Sequence, residues 1–155
     1  MPAITTLVYG DALGVGWENW SWGSSVNLQD AAYARTGSYS ASVAYTRGWG
    51  GLYFGHNGFN TVGFNTLEFY VNGGANSGQM VSINLVDAAG NFLPSVSLNE
   101  YVEGGSIAAS TWLKVSVPLS ALQGSNTTIT GVVLMDASGG VQPSYYLDDM
   151  VFAAR

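Results

Sequence analysis

The chain is 155 residues long, 47% hydrophobic and only 9% charged, with a net charge of −6. An ordinary globular chain carries roughly 25% charged residues, so Ser, Thr, Asn, Gln and Gly must keep this surface wet, as is common in secreted proteins that meet neutral polymers. The four basic residues, Arg35, Arg47, Lys114 and Arg155, are scattered, which excludes nucleic-acid binding and disfavours anionic polysaccharides; the lack of cysteine excludes disulfides and thiolate metal sites, and no apolar run approaches the roughly 20 residues of a membrane helix.

The length suggests one domain, residues 1–155, and a monomer. Met1-Pro2-Ala3 does not open a basic and then apolar leader, so an extracellular protein is expected whose signal or parent chain has been trimmed away. Period-2 alternation then dominates to the end. Strands are expected at Thr5–Tyr9, Trp20–Leu28, Ser38–Tyr45, Leu52–His56, Leu67–Asn72, Val81–Leu85, Trp112–Val117, Ile129–Asp136 and Tyr145–Phe152. Inward faces are set by Ala41, Val43 and Tyr45; by Leu67, Phe69 and Val71; by Val81, Ile83 and Leu85; and by Leu113, Val115 and Val117. Gly73-Gly74, Ala89-Gly90-Asn91, Gly104-Gly105 and Gly139-Gly140 read as turns. Only Ser120–Leu122, after Pro118, hints at a helical turn. This pattern predicts an all-β jelly-roll β-sandwich of two antiparallel sheets.

Five tryptophans accompany four basic residues, and three of them fall in Gly16-Trp17-Glu18-Asn19-Trp20-Ser21-Trp22-Gly23. Trp20 and Trp22 are two apart and share a face of a strand. Trp49 stands in Gly48-Trp49-Gly50-Gly51. Indoles set among serines, asparagines and glycines suit a ligand that is both apolar and rich in hydroxyls, such as a pyranose sugar; the bland alternative is a core or sheet-edge role. Tyr70, Asn72, Ser82 and Asn84 point outward from two strands that would be neighbours, making either a polar binding face or an ordinary solvated one.

Acidic residues near both ends form a second group. Asp11 follows the first strand and Asp148-Asp149 lie in the last. A buried carboxylate needs a partner. A calcium ion held by Asp11, one of the pair and a carbonyl from the Thr36-Gly37-Ser38 turn would supply one; so would plain hydrogen bonding. Catalysis has weak support. No serine sits in a nucleophile elbow, His56 has no spaced partner, and none of Glu18, Glu68, Glu100, Glu103 or Asp136 lies at a spacing that forces a glycosidase pair.

Val8-Tyr9-Gly10-Asp11, the tryptophan segment, Trp49-Gly50-Gly51-Leu52-Tyr53, Val71-Asn72-Gly73-Gly74 and Gln142-Pro143-Ser144-Tyr145-Tyr146-Leu147-Asp148-Asp149 together resemble a non-catalytic carbohydrate-binding module, most closely family 81. That resemblance implies a module attached to a cellulase or related hydrolase, binding cello-oligosaccharides, mixed-linkage β-glucan and xyloglucan. It implies Trp20, Trp22 and Trp49 as stacking residues, with Asp136 and Gln142 as polar partners, and a structural calcium ion at Asp11, Gly37, Asp148 and Asp149. Tyr70, Asn72 and Asn84 complete the expected sugar contacts. The rival readings are a structural or protein-interaction domain and a small β-sandwich glycosidase or lyase.

Overall fold

The structure, a computed structural model, describes residues 4–155. Among the described residues eleven strands form in chain order: β1 (Ile4–Tyr9), β2 (Trp17–Asn19), β3 (Ser24–Asp30), β4 (Ser40–Tyr45), β5 (Gly51–Asn60), β6 (Thr66–Asn72), β7 (Val81–Asp87), β8 (Val96–Ser97), β9 (Leu113–Pro118), β10 (Thr128–Asp136) and β11 (Tyr145–Ala154). They build two sheets. The back sheet runs β3-β4-β11-β6-β9, with β1 also on β11; the front sheet runs β2-β5-β10-β7-β8. Every strand pair is antiparallel, so the protein is an all-β sandwich of the expected class.

Alternation sets the packing. The inward faces of β4, β6 and β7 fall in the shared core as expected, and so do Val115 and Val117 of β9, with Leu113 packed partly buried against them. Leu52 and Phe54 of β5, Val132 and Leu134 of β10 and Phe152 of β11 meet them from both sheets with no exposure. Each such side chain contributes about 1.5–3 kcal/mol of transfer free energy. The expected turns are present, and Gly74, Gly90, Gly104, Gly105 and Gly139 all take positive φ, which glycine adopts without a Cβ clash. After Pro118, Leu122 N–H donates to Leu119 and Gln123 N–H to Ser120, closing the expected helical turn.

Two expectations are corrected. The segment Trp20–Leu28 is not one strand: its start belongs to the front sheet beside β2 and its end is β3 of the back sheet. The chain crosses between them at Gly23, whose φ is 55° and whose Cβ position would press on Arg47 and the Gly50 backbone. Likewise, Tyr70 and Asn72 lie on β6 of the back sheet while Ser82 and Asn84 lie on β7 of the front sheet. These four residues cannot share a face, because the 73–80 connection carries the chain from one sheet to the other.

The back sheet's outer side carries a charged clamp. Glu68 is 4% exposed; Arg155 Nε donates to it at 2.8 Å and Lys114 Nζ lies 3.5 Å away. The Arg155 guanidinium holds Glu68 at about 2, against its usual value near 4.5. The folded state thus binds this proton more weakly than the unfolded chain does. The stabilisation is complete above about pH 4.5 and is lost as pH falls towards 2. Urea melts at pH 7 and pH 3 should show a smaller acid loss in Glu68→Gln than in the parent; equal losses would remove Glu68 as a source of acid sensitivity.

Candidate functional site

On the front sheet the register runs Trp17↔His56, Glu18↔Gly55, Asn19↔Phe54. It continues through Trp20 N–H to the Tyr53 carbonyl at 2.8 Å and a two-way bridge between Trp22 and Gly51. Since Leu52 and Phe54 point into the core, Gly51, Tyr53 and Gly55 point out. Trp20 and Trp22 point out beside them, as their spacing predicts. Trp17 has the opposite parity and is core: it is 4% exposed and stacks 6.1 Å from Phe152.

Glycine decides how these rings lie. A methyl group on Gly55 would fall inside the Trp20 ring, one on Gly51 inside the Trp22 ring, and one on Gly131 against the Tyr53 ring. Each aromatic therefore rests on bare backbone, close to the sheet, where a side chain would have lifted it. Edge contacts join Trp20–Tyr53 at 5.6 Å and Trp22–Tyr53 at 6.2 Å between centroids, and a tilted contact joins Trp22–Phe92 at 5.8 Å. Trp20 is 42% and Phe92 49% exposed, leaving apolar faces open to solvent. Tyr53 and Phe92 extend this face beyond the three tryptophans the sequence singled out. The outward parity of Tyr53, between inward Leu52 and Phe54, was a readable signal; the placement of Phe92 was not.

Trp49 joins the face at one end. Its backbone is left-handed, φ 63°, a conformation that costs an ordinary L-residue roughly 1–2 kcal/mol. Two hydrogen bonds hold it: Trp49 N–H donates to Asp136 at 2.9 Å, and its carbonyl accepts the Trp22 indole N–H at 3.1 Å. Asp136 is fully buried and also accepts from Gly139 N–H, from Ser138 N–H and hydroxyl, and from the Gln142 amide. Burial pushes its carboxyl up, but the Ser138, Trp49 and Gln142 donors outweigh burial and hold it at about 2. Gln142 in turn bonds both backbone groups of Met80. Asp136 and Gln142 thus lie behind the Trp49 turn, where their polar atoms hold loops in place.

Asn84 belongs to the front sheet's outer side yet is only 2% exposed, donating to the Leu85 carbonyl. Tyr70 and Asn72 are on the opposite sheet, away from the tryptophans. The Arg35 guanidinium covers the Tyr70 ring at 3.4 Å, and Asn72 accepts from Gly74 N–H.

The four residues expected around calcium do converge, since β1 pairs with β11, and Gly37 lies directly against the Asp11 carboxylate. Their oxygens, however, face donors. Asp11 accepts from Ser38 and Tyr39 N–H; Asp148 from Arg35, Thr36 and Asp149 N–H; Asp149 from the Arg35 guanidinium and the Thr36 hydroxyl. The N–H groups of Ser38 and Tyr39 hold Asp11 below the usual carboxylate range, whereas burial pushes Asp148 above it. N–H groups and a guanidinium supply the positive partners these carboxylates need. Among the described residues no group of three or more His, Cys, Asp or Glu is placed to hold a metal. As placed, these carboxylates are satisfied without an ion. The expected result is a melting temperature unmoved by chelator; a clear drop, with metal recovered on analysis, would restore the ion.

Residues 6–154 match the family model described as Carbohydrate binding domain 30. A curated endoglucanase of Dictyostelium discoideum is 24% identical over 149 residues, covering 95% of this chain; the chain spans 21% of that protein's length. A family 29 carbohydrate-binding module superposes with TM-score 0.66 at 13% identity, covering 99% of this chain and 90% of that one. A variant family 29 module complexed with cellulohexaose gives TM-score 0.66 at 14% identity, covering 98% and 92%. Another, complexed with mannohexaose, gives 0.66 at 14%, covering 99% and 94%. These structural likenesses show the sandwich fold. The module class that the sequence resembles is shown; the family is 30 where the motifs suggested 81.

Proposed function

The chain belongs to the Carbohydrate binding domain 30 family, and from that premise we propose that the front face binds extended β-1,4-linked glucan chains and performs no chemistry on them. One observation carries this reading: a continuous aromatic face on which Trp20, Trp49 and Phe92 are exposed beside half-buried Trp22 and Tyr53, with Trp20, Trp22 and Tyr53 seated low on glycines of the sheet. A pyranose lays its C–H face on such a ring while its equatorial hydroxyls stay at the rim. Successive sugars of a β-1,4 chain flip, so both faces of the chain offer C–H groups and several rings can engage one chain. Cello-oligosaccharides, mixed-linkage β-glucan and xyloglucan are the proposed ligands, and an attached glycoside hydrolase outside the cell is the proposed partner. The endoglucanase relative, far longer than this chain, supports that attachment.

Affinity is expected to be modest. Each hydroxyl leaves water, so a hydrogen bond nets only about 0.5–1.5 kcal/mol, and ordering the oligosaccharide offsets part of the stacking. Dissociation constants of roughly micromolar to millimolar follow, about −8 to −4 kcal/mol. A glycosidase role for Asp136 is disfavoured: held ionised and fully engaged, it is not the raised-pKa proton donor that hydrolysis needs. Titration calorimetry with cellopentaose, run beside a reducing-end assay on β-glucan, tests both points. Saturable heat with no new reducing ends is expected. Heat absent at high ligand, or steady release of reducing ends, would overturn the proposal.

A further inference from the structure

The apolar surface of the front sheet does not end at the aromatic rings. β10 and β7 continue the sheet beside β5, and their inward residues fix their outward ones. Val81 and Ile83 of β7 and Leu134 of β10 lie in the core, so Met80, Ser82 and Met135 stand on the outer side with the tryptophans. Met80 just precedes β7, yet Ala137 N–H donates to its carbonyl at 3.0 Å, which keeps it within the alternation of the sheet.

Register places the two methionines. Trp22 bridges Gly51, Gly51 pairs with Met135, and Met135 pairs with Ser82. The Trp22 ring lies over Gly51, so Met135, half-buried, is the next side chain across the sheet. One step along β10, Asp136 N–H reaches the Gly50 carbonyl on one side, and Ala137 N–H reaches Met80 on the other. Met80 therefore stands two strands across from the Trp49 turn, about 10 Å at the usual strand spacing. It is 49% exposed and Trp49 is 57% exposed. Its backbone is held by the network that holds Trp49. The Gln142 side chain accepts from Met80 N–H at 2.7 Å and donates to its carbonyl at 2.8 Å. The same amide donates to Asp136, which anchors Trp49 N–H. One buried carboxylate thus positions an exposed apolar residue on each side of β10.

We propose that Met135 and Met80 are sugar-contacting residues, so that a glucan chain crossing β5, β10 and β7 meets thioethers beyond the indoles; this rests on the front-face function proposed above. A methionine side chain is unbranched, polarizable and adaptable, and moulds to a C–H face where no flat ring is present. It adds apolar contact without a strong hydrogen bond, so this end of the face lengthens the site more than it orients the sugar.

Methionine-methyl carbon-13 spectra of the whole chain, recorded beside the indole N–H signals during titration with cellohexaose, test this. The Met80 and Met135 methyls are expected to shift and saturate with Trp20 and Trp22 at one dissociation constant, while Met150, in the core, stays in place. Met80→Ala should weaken cellohexaose about four-fold for each methylene group that no longer meets sugar. Its melting temperature should be unchanged, since a half-exposed side chain leaves no cavity behind. Met80→Leu, similar in volume, should keep the affinity. Cellotriose, held by the indoles alone, should bind Met80→Ala as it binds the parent. A cellotriose loss as large as the cellohexaose loss would mean that Met80 acts through the Trp49 turn, and would overturn the proposal. So would indoles that saturate with the Met80 methyl unmoved, or cellohexaose affinity untouched in Met80→Ala; either leaves the front-face function standing. Silence at indoles and methionines alike would overturn both.

Discussion

Replacing Trp20 with alanine is expected to weaken cellopentaose binding by on the order of 2 kcal/mol, about thirty-fold, while the protein stays folded. The ring is 42% exposed, so much of its surface is already paid for in water and its removal opens no core cavity. What goes is a large exposed stacking surface of the proposed face, together with its edge contact to Tyr53. A second variant separates the ring's presence from its position. Gly55→Val keeps the indole but puts branched carbon where the ring now rests. The ring must tilt away from the sheet, and affinity should fall although no aromatic has been lost. Calorimetry and circular dichroism on both variants check this. An intact Trp20→Ala protein that binds normally would remove Trp20 from the site. One that unfolds would make it a core residue after all.

Asp136→Ala should damage stability and binding together. Five donors converge on this buried carboxylate, and an orphaned buried donor costs about 1–3 kcal/mol. Some of these groups will reach water once the loop relaxes, so a loss of roughly 3 kcal/mol in unfolding free energy is expected. The left-handed backbone at Trp49 then loses its Asp136 anchor, and the ring leaves its place over Gly139. Oligosaccharide affinity should drop severalfold as a consequence. Asp136→Asn retains one acceptor oxygen but turns an NH₂ towards N–H groups, and should fall between the alanine variant and the parent. Urea melts read the first effect and calorimetry the second. Affinity lost with stability untouched would make Asp136 a direct sugar ligand. Wild-type behaviour in both would show that the Trp49 turn holds itself.

The strands were legible where apolar residues alternate without interruption. Ala41, Val43 and Tyr45, or Val81, Ile83 and Leu85, can point only one way if one face is to be buried. Trp20–Leu28 misled for the same reason. Its period-2 pattern runs unbroken through Gly23, and parity carries no information about which sheet a residue joins. The pairing of Tyr70 and Asn72 with Ser82 and Asn84 failed similarly, because consecutive strands usually neighbour one another whereas β6 and β7 lie in opposite sheets. At the candidate site, residue type pointed to Trp20, Trp22 and Trp49, and Asp136 and Gln142 prove to lie behind the Trp49 turn. It did not reveal that the last two face backbone donors, since those donors are amides of the 138–139 turn and Met80. The glycine seats were out of reach altogether: which glycine lies under which ring depends on cross-strand register. The acidic residues at the two ends do meet, but their partners are the N–H groups of the 35–39 loop, which sequence cannot display.

The most direct test uses the five indole N–H signals of the protein during titration with cellohexaose. Trp20, Trp22 and Trp49 should shift and saturate together at one dissociation constant. Trp17, buried in the core, and Trp112, just before β9 of the back sheet, should stay in place. Saturation that moves Trp112 alone, or that leaves all three front-face indoles where they began, would contradict the account.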